Sequence, residues 1–294
     1  MVYDTINLMH LKGKACFVIA FFILLAACTT GKKKSDLQDP PGYDLQHPTI
    51  IKLPSGLAEI SGLSYYAKDT SVFAIEDEEG LLYKIFLTHR DSIDSWKYDK
   101  KHDFEDVVLH DSTFYVLVSN GDIKTVHFNG DSLITNTAKF PDADKKVNEF
   151  ESVLYNDSTN KLMLLCKNCS DDNHKVVSSW TYDPTNGSYT PGIFTLDASA
   201  VAQKLGLKKI KLKPSAIALN PIDNNLYILA SVNKLLVVTD RSGGLKDVYQ
   251  LDPALYKQPE GIAFTTRGDM IVSNEAHETG LADILVIKYK KNGK

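Results

Sequence analysis

The sequence predicts an all-β protein, a β-propeller of five four-stranded blades. Three observations support this fold: an internal repeat of about 45 residues, hairpin turns at matching places in each repeat, and a gradient from apolar to polar strands. Measured between the third residues of their opening segments, the repeats follow at intervals of 44, 46, 64 and 45 residues. The opening segments are Ile60–Leu63, Phe104–Val107, Phe150–Val153, Pro214–Ile217 and Pro259–Ile262.

Each repeat has the same internal order of strands and turns. A turn rich in Asp, Asn and Gly follows the opening strand, because these residues tolerate the left-handed backbone of tight turns. The second strand is an almost continuous apolar run, such as Phe114–Val118 or Leu226–Leu229, as expected for a strand covered on both faces. Fourth strands such as Leu133–Phe140 are more polar. A six-bladed propeller with one eroded repeat is the main alternative.

The two ends of the predicted domain, residues 43–294, belong to one blade. The last repeat supplies three strands from Gly261 onward, and we expect His47–Leu53 to provide the fourth, outer strand and so cover an exposed edge. The 64-residue interval fits one blade plus an insertion at 197–213. Asp197 is placed there to cap a short helix that ends at Gly206.

The N-terminal segment predicts export and lipid attachment. Two lysines precede the apolar run Ala15–Ala27, whose 13 residues are fewer than the ~20 that a membrane-spanning helix needs. Residues 1–27 are therefore predicted to be a signal peptide, and Leu25–Cys28 resembles a bacterial lipobox that would lipidate Cys28. Residues 28–42 are polar and predict a flexible tether. We expect a protein of the bacterial cell envelope, anchored by lipid to a membrane, with the outer membrane favoured and the domain in the periplasm or at the surface.

Composition and missing motifs exclude several function classes. Lys and Arg number 33 and Asp and Glu number 37, which gives a formal charge of −4. This balance lacks the broad basic footprint of a nucleic-acid-binding protein, so we expect no nucleic-acid partner. The sequence also lacks the G-x-S-x-G, H-E-x-x-H, P-loop and dinucleotide-binding motifs.

Acidic side chains recur where the first strand of a blade starts and where the second strand ends. In a propeller these two positions lie side by side at one end of the central channel. Several carboxylates in one channel repel each other unless their pKa values rise or a cation binds. Oxygen ligands favour calcium or magnesium over zinc, so a bound calcium ion is one interpretation of these acids. Capping of backbone groups and binding of water is the favoured interpretation, and a catalytic carboxylate pair is the third. The candidate ligands are Glu105, Glu151, Glu260, Asp77, Asn120, Asn274 and Glu275.

Several of these segments also carry a family resemblance. Glu59–Leu63, Ile75–Glu78 and Phe104–Val107, together with Gln258–Ala263 and Ser273–Glu275, resemble the SdiA-regulated family of bacterial envelope proteins. The resemblance covers roughly residues 49–289. It implies a β-propeller and no particular activity. The acid-lined propeller is also similar, at the level of the fold alone, to phytase-like esterase and lactonase propellers that hold calcium.

Cys166 and Cys169 form a C-x-x-C pair at the end of a predicted strand. A redox pair would place its first cysteine at a helix N-terminus, and a zinc site would need a fourth ligand that the spacing does not supply. A local disulfide in an oxidising compartment is therefore the favoured interpretation.

Two function classes remain open. The first is a binding module whose acidic channel mouth holds a cation and recruits a small ligand, a glycan or a protein. The second is a calcium-dependent hydrolase of esterase, lactonase or phosphoester type. Lys167 and Lys213 are the cations that the sequence places near the channel mouth, which disfavours phosphoester substrates. The binding module is favoured, and enzymatic activity stays an open question.

Overall fold

The computed structural model describes residues 37–88, 93–141, 143, 147–276 and 280–291, in which twenty β-strands form five four-stranded antiparallel sheets. These sheets are the blades of a five-bladed β-propeller. The predicted fold is therefore confirmed, and the six-bladed alternative is wrong. The predicted signal peptide (residues 1–27), Cys28 and the predicted tether up to residue 36 lie outside the described residues.

In the first four blades, the strands run in chain order from the channel to the outer edge of the blade. A strand ahead of the first blade, β1, spans Thr49–Lys52. Blade one contains β2 to β5, at Ile60–Tyr66, Ser71–Glu76, Leu81–Phe86 and Ile93–Lys97. Blade two contains β6 to β9, at Phe104–His110, Thr113–Val118, Ile123–Asn129 and Ser132–Ala138. Blade three contains β10 to β13, at Asn148–Asn156, Lys161–Cys169, Val176–Asp183 and Ser188–Asp197.

The last two blades differ in how they are completed. Blade four contains β14 to β17, at Ala216–Leu219, Leu226–Ala230, Leu235–Thr239 and Leu245–Gln250. Blade five contains β18 to β20, at Pro259–Phe264, Met270–Asn274 and Asp283–Ile287, with β1 as its outer strand. Strand β1 pairs antiparallel with β20, and the Lys52 ammonium lies 2.7 Å from the Asp283 carboxylate across this pair. The predicted N-terminal outer strand is thus confirmed.

Chain ahead of β1 also packs on the propeller. The Tyr43 hydroxyl donates to the carbonyl oxygen of Gly268 at 2.8 Å, and the Tyr256 hydroxyl donates to the carbonyl oxygen of Leu45 at 2.9 Å. Pro40 is buried, and the Lys290 N–H donates to the Gly42 carbonyl. The packed chain therefore starts a few residues before the predicted domain boundary at Tyr43.

The insertion after blade three carries a helix, α1, at Ala198–Lys204. The Asp197 carboxylate accepts the Ser199 N–H at 2.7 Å and so satisfies one of the free donors at the helix start. Gly206, with φ of 70°, ends the helix in the left-handed conformation that favours glycine at this position. Buried Val201 anchors the helix in the apolar cluster between blades three and four. No helix among the described residues is long and apolar enough to cross a bilayer.

The core of the described chain divides into five apolar clusters, one at each junction between neighbouring blades. Second strands are buried along their whole length in blades one, four and five, whereas outer strands such as β9 alternate between exposed and half-buried residues. The apolar runs in the sequence therefore mark strands that are covered on both faces by adjacent blades.

A side-chain hydrogen bond also links every pair of neighbouring blades around the channel. Each of these bonds joins the inner strand of one blade to a residue of the neighbouring blade. Contacts between blades therefore satisfy polar groups beside the channel. In order around the ring, the donor and acceptor pairs are Leu109 N to Ser64 Oγ, Val153 N to Asp106 Oδ2, Ile217 N to Ser152 Oγ, Ser215 Oγ to Pro259 O, and Ser273 Oγ to Ser61 O.

Candidate functional site

Four inner strands have a backbone irregularity at the same place, and in three of them the residue at this place is a glutamate. In β6 the register passes from Phe104 to Asp106 and leaves Glu105 without a cross-strand partner. Glu151 and Glu260 are skipped in the same way in β10 and β18, and Ser61 lies in the corresponding irregularity of β2. Such β-bulges turn the extra residue away from the ladder and are frequent next to active sites.

Aromatic residues hold two of these bulges in place. Phe104 and Phe150, which precede Glu105 and Glu151, are fully buried at blade junctions. Phe104 contacts the ring of Tyr98 with a centroid distance of 5.1 Å, and Phe150 contacts another aromatic ring at the same distance. The packed ring fixes the backbone on one side of each glutamate, so the carboxylate is directed into the channel.

The bulged residues converge on a cavity of about 260 Å³ at the channel mouth. Among the described residues, seven carboxylates and a single ammonium group line it, which gives a formal charge of −6 if every one of these groups is ionised. Its lining residues are Ser61, Asp77, Asp103, Glu105, Glu149, Glu151, Lys167, Ser215, Glu260 and Glu275.

The structure brings together five of the seven candidate ligands. Asp77, Glu105, Glu151, Glu260 and Glu275 line the cavity, whereas the two asparagines do not. The first, Asn120, bonds to Asp122 within its own turn. The second, Asn274, donates to the Leu255 carbonyl and to Asp283 Oδ1. The Asn120 amide and the Asn274 amide nitrogen are thus engaged away from the cavity, whereas Asn274 Oδ1 is buried without a hydrogen-bond partner among the described residues.

Lys167 supplies the positive charge at the mouth. Its ammonium contacts the Glu151 carboxylate and lies 3.3 Å from the Glu149 carboxylate. Burial by itself would lower the pKa of Lys167, but the charge and the hydrogen bond of Glu151 outweigh it and raise the pKa. Lys167 therefore stays protonated and compensates one of the seven acids.

The ammonium of Lys167 does not balance the negative charges of the remaining acids. Burial, followed by the charges of Glu151 and Asp103, raises the pKa of Glu105 well above its usual range. Burial also raises the pKa of Glu151, although its contact with Lys167 opposes this shift. Glu260 shifts in the same direction because of its burial. Without a bound cation, part of this cluster consequently holds protons at neutral pH.

Two further acids of the cavity, Asp77 and Glu275, also have raised pKa values. Burial and the charge of Glu59 raise the pKa of Asp77 to about 6, and burial and the charge of Glu260 raise the pKa of Glu275 to about 7. The Oδ1 atom of Asp77 is buried and has no hydrogen-bond partner among the described residues. A buried carboxylate oxygen without a partner is costly, and a bound ligand or ion would satisfy it.

The carboxylates are close to each other but not yet arranged around one point. Among the described residues, no three carboxylates each bring an oxygen within 4.8 Å of the other two. Oxygen ligands in a flexible arrangement suit calcium, which accepts six to eight of them, better than magnesium, which requires near-octahedral geometry.

Cys166 and Cys169 are joined by a disulfide, with Cα atoms 5.7 Å apart. The sulfur atoms also lie within 4.8 Å of an Asp172 carboxylate oxygen. Sulfur atoms bonded to each other are not available as thiolate ligands, so this trio is not a metal site while the disulfide is intact. The disulfide closes a short loop around Lys167 and restrains the backbone that carries the ammonium group.

Asp106 is an acidic residue whose importance sequence reasoning missed. It is fully enclosed beside the channel and accepts hydrogen bonds from the backbone N–H groups of Val107 and Val153 and from the Ser152 hydroxyl. A Cβ atom on Gly62 would lie 2.1 Å from Asp106 Oδ1, so only glycine leaves room for this carboxylate. The glycine in Ile60–Leu63 was the available sequence signal.

Solved structures with a similar fold come from proteins of diverse activity. A glutaminyl cyclase from Myxococcus xanthus is 12% identical, with a TM-score of 0.53 and coverage of 81% of this chain and 95% of that chain. Regucalcin from Agrobacterium tumefaciens, described as a calcium-binding protein, is 12% identical, with a TM-score of 0.51 and coverage of 86% and 97%. A luciferin-regenerating enzyme is 11% identical, with a TM-score of 0.52 and coverage of 84% and 98%. These identities establish the shared fold alone.

The family comparison covers most of the chain. No curated protein sequence matches it. The model of the SdiA-regulated family matches residues 43–278, which include all five blades up to the end of β19. The resemblance in the strand-start and strand-end segments is therefore confirmed, and the chain belongs to the SdiA-regulated family.

Proposed function

We propose that this propeller is a calcium-dependent binding module whose acidic channel mouth holds the cation and recruits a small ligand, a glycan or a protein. The observation that carries the proposal is the charge of the mouth, where the part of the chain that the structure describes places seven carboxylates and one ammonium around a cavity of about 260 Å³. A divalent cation would offset the burial and the neighbouring negative charges that otherwise keep Glu105 and Glu151 protonated. The buried, unpartnered oxygen of Asp77 adds a ligand atom at the same place.

Thermal unfolding of the full-length protein with calcium and with excess chelator tests the proposal. At a calcium concentration 100 times the dissociation constant, binding adds ~2.7 kcal/mol to the free energy of unfolding, which raises Tm by several degrees. Glu105→Gln and Glu260→Gln should remove this increase. In the chelated protein, Glu105→Gln should leave Tm nearly unchanged, because burial already keeps Glu105 protonated.

The matched control is Asp94→Asn, which removes an exposed carboxylate on the outer strand of blade one. This variant should keep the full calcium-dependent increase in Tm. If calcium leaves Tm of the native protein unchanged, or if Asp94→Asn loses the increase as readily as Glu105→Gln, the acidic mouth is not the cation site.

We also propose that Cys28 is lipidated and holds the module on a membrane of the bacterial cell envelope. The support is the basic and apolar segment before Leu25–Cys28 and its likeness to a lipobox. Replacement of Cys28 by serine should move the protein from the membrane fraction to the soluble fraction. Mass spectrometry of the native protein should find a diacylated N-terminal cysteine, and an unmodified Cys28 in the membrane fraction would contradict the proposal.

A calcium-dependent hydrolase is the second candidate, favoured by Glu275. A general base works best when its pKa lies near the operating pH, and the pKa of Glu275 in the metal-free mouth is about 7. Turnover of p-nitrophenyl acetate and p-nitrophenyl phosphate, with calcium and with chelator, tests this candidate. Activity that requires calcium and falls at least 100-fold in Glu275→Gln would support catalysis. Absence of turnover in a calcium-binding protein would favour the binding module.

A further inference from the structure

A second and larger cavity, of about 520 Å³, adjoins the acidic mouth. Glu260 lines both cavities, so the two spaces meet at this carboxylate. The second cavity lies on blades four and five, between the loop that follows β15 and the segment that leads into β18. Its volume is within the range of cavities that enclose a small organic molecule.

Counting the described lining residues, two lysines and Glu260, the second cavity has a formal charge of +1, whereas the mouth is acidic. The two lysines are Lys234 from the loop after β15 and Lys257 from the segment before β18. The Lys234 ammonium donates to the backbone carbonyl of Lys257, which fixes its position beside the cavity. Neither lysine has a carboxylate within ion-pairing distance among the residues that the structure describes. Among the described residues, both ammonium groups therefore have donors left for an anion, and Glu260 of the same lining attracts Lys234 without forming an ion pair with it.

Apolar surface lies next to these charges. Val232 is 71% exposed at the edge of the cavity, and Pro253 lines its side. The Gln258 amide belongs to the same lining and also donates to Glu275, a residue of the acidic mouth. The cavity thus offers two positive charges, an apolar contact for a carbon skeleton, and a polar connection to the neighbouring cation site.

We propose that the second cavity binds a small organic anion, a carboxylate or phosphate monoester, whose charged group lies between Lys234, Lys257 and the cation held at Glu260. This inference rests on the proposed function, because a bound cation is what turns Glu260 from a repulsive neighbour into a bridge to the anion. The carbon skeleton packs on Val232 and Pro253. The two cavities then act as one composite site, with the cation in the acidic mouth and the organic ligand beside blades four and five.

Isothermal titration of the calcium-loaded full-length protein with phenyl phosphate and, separately, with benzoate tests the inference. Benzyl alcohol is the neutral probe of similar size. At least one anion should bind, while benzyl alcohol should not. The double variant Lys234→Gln/Lys257→Gln should weaken anion binding at least about tenfold, because hydrogen bonds to charged groups are lost. Lys257→Gln alone should weaken it by a smaller factor, which gives a second variant if the double variant is unstable.

Lys246→Gln is the matched control, since Lys246 lies on β17 of the same blade and lines neither cavity. It should bind both anions as the native protein does. Equal binding by the native protein and the lysine variants, or no binding of either anion, would overturn the inference. A preserved calcium-dependent rise of Tm in these variants would show that the cation site survives, so the failure would concern the organic ligand alone.

A native protein that does not respond to calcium would overturn the proposed function instead. The same titrations in chelator then decide the inference by themselves. Lysine-dependent binding of phenyl phosphate or benzoate would support the anion cavity without the cation bridge. Binding that does not depend on the lysines would refute it.

Discussion

Replacement of Asp106 by asparagine tests whether burial or hydrogen bonding determines the protonation state of this residue. Asp106 accepts three hydrogen bonds, from Val107 N–H, Val153 N–H and the Ser152 hydroxyl, and these favour the ionised carboxylate. Burial favours the neutral form and outweighs them, so the pKa rises from 3.8 to about 7. One pKa unit corresponds to about 1.4 kcal/mol, and this rise therefore corresponds to about 4 kcal/mol.

The raised pKa of Asp106 determines the direction in which pH changes the free energy of unfolding. Below pH 3.8 both the folded and the unfolded protein hold the proton on Asp106, and this contribution to stability is fully present. Between pH 3.8 and 7 the unfolded chain loses the proton while the folded protein keeps it. The contribution is consequently lost as the pH rises through this window. By pH 8 about 4 kcal/mol of the free energy of unfolding should be gone.

Urea unfolding of the native protein and of Asp106→Asn between pH 4 and pH 8 measures this effect. At pH 4 the variant should be less stable, because Val107 and Val153 donate to different carboxyl oxygens and asparagine replaces one of these acceptors by an NH2 donor. The difference should then change by about 4 kcal/mol in favour of the variant by pH 8. Asp131→Asn, at the exposed turn between β8 and β9, is the control and should follow the native curve. A difference that stays constant with pH would show that Asp106 is ionised in the folded protein.

Three further predictions concern the mouth and the closure of the ring. Calcium affinity should increase from pH 6 to pH 9, because Glu105 and Glu151 must release protons to bind the ion. Calorimetric titration in buffers of different ionisation enthalpy should detect the released protons. A calcium affinity that does not depend on pH would contradict this prediction. Cys169→Ser should lower the free energy of unfolding by about 2 kcal/mol in urea, and reductant should have no further effect on that variant. Deletion of residues 43–53 should abolish cooperative thermal unfolding by circular dichroism; a single sharp transition at the native Tm would refute the role given to the closing strand.

The repeat predicted the architecture because the packing of blades against each other determines which strands are apolar. A second strand covered by two neighbouring blades must be apolar along its length, and the runs Phe114–Val118 and Leu226–Leu229 have this character. The fourth strand of blade five was predictable for a similar reason. Three strands at one end of the domain left an edge that the apolar segment near Ile51 could cover.

The candidate site was predicted less completely, because side-chain direction depends on backbone register. Glu105 enters the channel through a bulge that a simple alternation of strand residues does not contain. Asn120 and Asn274 occupy equivalent sequence positions, but a local turn and a contact with the neighbouring strand engage their amides. The Lys234 and Lys257 pair had no sequence signal, since its members come from different blades.

The pairing of β1 with β20 has a consequence for the order in which the molecule forms. The strand synthesised first, Thr49–Lys52, finds its partner only when Asp283–Ile287 has been made. Until then both apolar edges stay unpaired while the intermediate blades assemble from local hairpins. Contacts between residues so distant in sequence slow folding and prolong exposure of aggregation-prone edges. The ring of blades can therefore close only after the whole domain has been synthesised.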